Sequence, residues 1–128
     1  MAILVRILVL LLGLFNIFLG ISFLFNPAEM AGDFFLEPQG IQGLATIRAD
    51  YPAFFLTAGG FALYSAWKQS GWPLLVPMCL MSIAIIGRVV SLALDGEAPT
   101  AFQPMVVEAI MIAISVIGYR VFGRSAHA

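Results

Sequence analysis

Long apolar stretches broken by short polar segments make up almost the whole chain. The first runs from about Ile3 to Phe25 and the second from about Ala49 to Trp67. The third runs from about Trp72 to Leu94 and the fourth from about Ala101 to Phe122. Each is near the ~20 residues that a helix needs to cross about 30 Å of hydrocarbon. None shows the two-residue alternation of barrel strands. Outside closed barrels, a segment in lipid satisfies its own N–H and C=O groups only as a helix. The pattern predicts an all-α fold, a four-transmembrane-helix bundle forming one membrane domain over residues 1–128. A cleaved signal peptide is the competing reading of the first stretch. Its apolar run is too long for one and no A-x-A-like site follows, so an uncleaved helix is expected.

The connections sharpen this outline. Asn26-Pro27 ends the first stretch, and an outer loop is expected over residues 26–48, carrying Glu29, Asp33 and Glu37. Within it, Phe34-Phe35-Leu36 can dip into the membrane interface as a short amphipathic turn. Lys68-Gln69-Ser70-Gly71 reads as a tight turn flanked by Trp67 and Trp72 at headgroup depth. Pro73 suits the first turn of the third helix, where a missing N–H costs nothing. Asp95-Gly96 closes that helix.

Orientation follows from the cations. Arg6, Lys68, Arg120 and Arg124 fall on one side, and every acidic residue except Glu108 falls on the other. Both termini of a multi-pass protein are therefore expected in the cytoplasm.

Composition agrees. The chain is 62% apolar and only 10% charged, against about 25% charged for a soluble domain. Too few polar groups exist to cover a water-facing surface. A net charge of -1 offers no basic patch for phosphates, so no nucleic-acid partner is expected. One cysteine, Cys79, excludes an internal disulfide. One histidine, His127, expected in a mobile tail, excludes a His-based triad or an ordinary zinc site. Neither a metal nor another cofactor is implied.

Two ionisable residues lie inside predicted spans. Arg88 is seven residues from Asp95, about 10 Å below the outer end of its helix, and Glu108 is six residues from Phe102, about 9 Å below the same surface. A charge at the centre of a span costs ~2.5–3.5 kcal/mol on the insertion scale. Matching depths on antiparallel neighbours predict an Arg88–Glu108 ion pair. Arg88, Ser91 and Asp95 share a helix face. Asp50, Thr57 and Tyr64 form a stripe on the second helix, with Arg48 and Tyr51 at its outer end. Asn16 lies between Gly13 and Gly20, where helices can approach closely. The expectation is a polar, charge-balanced interior open to the outside, with Arg48, Asp50, Tyr51, Arg88, Ser91, Asp95 and Glu108 as ligand-binding candidates.

A structural explanation of these charges competes with the functional one. Asp50 and Glu108 lie near helix N-termini and Arg88 near a C-terminus, each favoured by its own helix dipole. Asp50 can cap its helix ahead of Pro52, and Arg48 can snorkel to headgroups. Asn16, Ser91, Thr57 and Tyr64 can serve as interhelical contacts. The methionines and phenylalanines read as lipid-facing or packing residues.

Arg48-Ala49-Asp50-Tyr51, the stretch Gly87-Arg88-Val89-Val90-Ser91-Leu92-Ala93-Leu94-Asp95-Gly96, and Pro104-Met105-Val106-Val107-Glu108 resemble a bacterial family of small four-helix membrane proteins. That family is known only as a domain of unknown function. The resemblance covers nearly the whole chain, and G-R-x-x-S-x-x-x-D-G is its most specific part. It implies a four-helix fold in a bacterial membrane, with a multi-pass location in the cell inner membrane, and brings no activity with it.

Three functions compete at this level. One is binding of a small amphipathic molecule or membrane lipid, with Arg88 taking an anionic or carbonyl oxygen. A second is a non-catalytic subunit of a larger membrane complex or a homo-oligomer. The third is an intramembrane acid–base enzyme using Glu108 with Asp50, and Arg88 orienting the substrate. The guanidinium facing Glu108 works against the proton exchange such chemistry needs, and no nucleophile or cofactor motif supports it.

Overall fold

The computed structural model describes residues 1–125; His127 and its expected tail lie outside the described residues. The described chain is all-α. Helix α1 spans Ala2–Phe25, α2 Pro27–Asp33, α3 Gly40–Lys68, α4 Leu75–Leu94 and α5 Phe102–Ser125, with a 3-10 turn at Trp72–Leu74 leading into α4. Among the described residues, three segments are long and apolar enough to cross a membrane: α1, Trp72–Leu94 including the turn, and α5. Helix α3 is the longest, at 29 residues. Its apolar character is diluted by Arg48, Asp50, Thr57, Tyr64 and several glycines.

The outer loop expected over 26–48 is mostly helical. Pro27, whose fixed φ suits an N-terminal turn, starts the seven-residue α2, and α3 begins at Gly40 rather than near Ala49. The early start escaped a hydropathy reading because Ile41, Leu44, Ala45 and Ile47 are spaced around a helix between polar residues, not run together. Ile47 is buried against Phe23, Ala31 and Phe55. Phe34 packs edge-on to Phe23 with ring centres 5.1 Å apart, while Phe35 is 83% exposed. The tripeptide thus splits, one ring inward and one outward.

Helices α1 and α3 are antiparallel and in intimate contact. Leu63 lies over Gly13 and Leu56 over Gly20. Where the backbones are nearest, a Cβ on Gly59 would sit 2.8 Å from the Gly13 carbonyl oxygen and 2.9 Å from the Ile17 nitrogen. Only a residue without a side chain fits there. The expected close approach around Asn16 is thus present, with α3 as the partner. Helix α5 also packs on α1, and α4 packs between α5 and α3. The four long helices therefore close a ring in the order α1, α3, α4, α5.

Two apolar clusters hold this ring. Val9, Leu12, Ala62, Leu74, Met81 and Phe122 belong to the larger one. The smaller one ties α2 to α1 and α3 through Phe23, which stacks on Tyr51 at 4.7 Å and on Phe55 at 5.7 Å. At the end of the molecule near Lys68, Arg6 Nε donates to the Ala66 carbonyl at 3.0 Å. Gly71 lies against the Tyr119 backbone at the same end. Arg6, Lys68 and Arg120 are thereby gathered at one end, opposite α2.

Candidate functional site

The last turns of α4 and the first turns of α5 bring Arg88 and Glu108 face to face. Arg88 Nε donates to Glu108 Oε1 at 2.7 Å. The pair is asymmetric: the Glu108 side chain is 9% exposed and that of Arg88 39%. Only one carboxylate oxygen is used. Glu108 Oε2 is buried and has no hydrogen-bond partner among the described residues. A buried acceptor left in that state costs ~1–3 kcal/mol, more when it is charged, so it demands an explanation.

Glu108 lies on the wall of a cavity of about 720 Å³. All four long helices contribute: Phe15 and Leu19 from α1; Asp50, Tyr51, Phe54 and Phe55 from α3; Met81, Ala84 and Arg88 from α4; Pro104, Val107 and Met111 beside Glu108 from α5. Phe34 and Leu36, just after α2, complete it. A second cavity of about 620 Å³ adjoins it. Asp33, Ser91, Thr100 and Gln103 line this one, and Phe34, Arg88 and Pro104 line both. Arg88 therefore stands between an apolar chamber and a more polar one formed by the α4–α5 connection.

Of the expected ligand-binding candidates, Asp50, Tyr51, Arg88 and Glu108 line one cavity. Ser91 faces the second cavity and donates its hydroxyl to Asp95 Oδ2 at 2.8 Å. Asp95 lines neither cavity; it holds Ser91. Arg48 is a correction. It is exposed and donates from Nη1 to the Leu24 carbonyl at the C-terminal end of α1. Two residues along a helix turn a side chain by about 200°, so Arg48 and Asp50 point away from each other. Thr57 and Tyr64 also stay outside, the latter 42% exposed and packed near Trp67 and Trp72. The expected charge-balanced polar interior is corrected too: the main cavity is largely aromatic and aliphatic, and its lining includes two carboxylates, Asp50 and Glu108, but one guanidinium.

Other lining residues were not singled out by sequence. Met81 and Met111 are almost fully buried and, with Phe54 and Phe55, form much of the apolar wall. Their spacing carried the signal, since Met81 lies seven residues before Arg88 and Met111 three after Glu108, on the same helix faces. Asn16 is fully buried. Its Nδ2 donates to the Leu12 carbonyl at 2.9 Å and to Met111 Sδ at 3.4 Å, which joins α1 to α5. Its Oδ1, like Glu108 Oε2, has no partner among the described residues.

Apolar helices of membrane-spanning length around a cavity that holds an ion pair define a helical membrane protein. The chain belongs to the family described as Domain of unknown function (DUF4345), whose profile matches residues 4–119. No curated protein and no solved structure matches it significantly.

Proposed function

We propose that this protein crosses a bacterial inner membrane four times, with both termini cytoplasmic, and binds a small amphipathic molecule or lipid in a pocket that opens toward the outer leaflet. Helix α3 is the fourth span in this reading. Its 29 residues extend about 44 Å, and its antiparallel contact with α1 gives it the same length of bilayer to cross. The cations at the Lys68 end, set against the acidic α2 end, support the orientation.

The observation that carries the binding reading is the buried, half-paired Glu108 on the wall of an apolar cavity. Structural stapling of α4 to α5 accounts for Oε1. It does not account for Oε2, nor for Asp50 and Tyr51 reaching the same space from α3. A cavity of about 720 Å³ falls in the usual range for small-molecule sites, apolar walls with a few convergent polar groups. Lipid tails are as apolar as these walls, so transfer from the bilayer gains little hydrophobic free energy. Selectivity then rests on the polar groups.

The test is the lipid composition of the purified protein. Extraction followed by mass spectrometry should reveal an amphiphile enriched well above its share of the membrane, at about one per chain. Bulk lipids in bulk proportions would overturn the reading.

A further inference from the structure

We infer that the ligand's head is a primary ammonium group, which makes the preferred ligand class an alkylamine or amine-headed lipid; this rests on the pocket reading given above. Three observations converge on this chemistry. The first is charge. The two adjoining cavities are lined by Asp33, Asp50 and Glu108 but by one cation, Arg88. Arg88 is already engaged by Glu108, and Arg48 is turned to the Leu24 carbonyl. An anionic head would meet uncompensated carboxylates; a cation would balance them.

The second observation is the orphaned oxygen. Glu108 Oε2 is a buried acceptor with no donor among the described residues. A carboxylate or a carbonyl group has no proton to give it, whereas an ammonium head has three N–H donors. One donor satisfies Oε2 in a charge-assisted hydrogen bond, the strong kind. A quaternary head would supply charge without a donor and leave Oε2 as it is.

The third is the wall. Phe15, Phe34, Tyr51, Phe54 and Phe55 surround the same space, and aromatic faces attract ammonium cations, most strongly where water is excluded. Carboxylates among aromatic rings are an ammonium-recognising combination. The same rings and the methionines accept an alkyl chain.

Binding of dodecylammonium, dodecanol and dodecanoate to the full chain in phosphatidylcholine nanodiscs tests this, with empty nanodiscs subtracted for partitioning. Dodecylammonium should bind at least about tenfold more tightly than either other probe, equivalent to ~1.4 kcal/mol. In Glu108→Gln and in Asp50→Asn the preference should shrink below about threefold while dodecanol binding persists. Asp50 is exposed, so Asp50→Asn carries the test if Glu108→Gln fails to fold. Dodecanoate or dodecanol binding as tightly as the amine would overturn the headgroup assignment, as would an undiminished preference in the variants. Ala84→Phe, which fills the chamber, should abolish saturable binding of all three. Binding unaffected by that change, or no saturable binding of any probe, would remove the pocket reading together with the inference.

Discussion

Arg88 and Glu108 meet through one hydrogen bond, Nε to Oε1 at 2.7 Å, and the burial on its two sides is unequal. Glu108 is enclosed, while Arg88 keeps over a third of its side chain accessible. Removing the guanidinium strands a buried carboxylate. Removing the carboxylate's charge strands a cation that can relax toward the polar chamber beside Ser91.

The two single substitutions should therefore differ. Arg88→Met is expected to cost about 3 kcal/mol of stability and Glu108→Gln about 1–2, the second discounted for the exposure of Arg88. The double variant should return to within about 1 kcal/mol of wild type, because no unpaired charge remains. Unfolding midpoints in mild detergent give all three values. A Glu108→Gln loss larger than that of Arg88→Met, or additive losses in the double variant, would mean the stranded-charge account is wrong.

The α1–α3 seam supports a sharper comparison between neighbouring glycines. A Cβ on Gly59 would collide with backbone atoms of Gly13 and Ile17, which have no rotamer to escape into, whereas one on Gly60 meets nothing within 4 Å. Gly59→Ala should destabilise by about 1–3 kcal/mol. Gly60→Ala should be neutral, or stabilising by up to about 1 kcal/mol through lower unfolded-state entropy. Equal effects in a thermal melt would mean the helices do not approach as described.

Much of this architecture was legible in the residues because lipid imposes simple demands. Continuous apolarity marked α1, α4 and α5, and equal depths on helices joined by a short connection foretold the Arg88–Glu108 contact. What stayed hidden depended on rotation about a helix axis. Gly40–Arg48 is helical with apolar residues on scattered positions, a pattern that hydropathy alone does not distinguish from a loop. Arg48 and Asp50 are two residues apart in sequence yet diverge in space, and depth alone could not separate them. Met81 and Met111 looked like ordinary apolar residues; only their register with Arg88 and Glu108 sets them on the cavity wall.

Topology can be read independently of any ligand. In a Cys79→Ala background, single cysteines at Glu37 and Glu97 should react with a membrane-impermeant maleimide added to intact spheroplasts. Cysteines at Gln69 and Ser125 should react only after the membrane is opened. If Gln69 labels from outside together with Glu97, α3 and α4 do not both cross, and the four-span arrangement falls.

The pocket itself is tested most directly by photocrosslinking with a diazirine-bearing alkylamine, followed by peptide mapping. The account predicts adducts on Met81, Ala84 and Met111, removed by excess unlabelled alkylamine and absent in Ala84→Phe. Adducts confined to the outward-facing Ile83, Ile86 and Ile110, and indifferent to competitor, would contradict it.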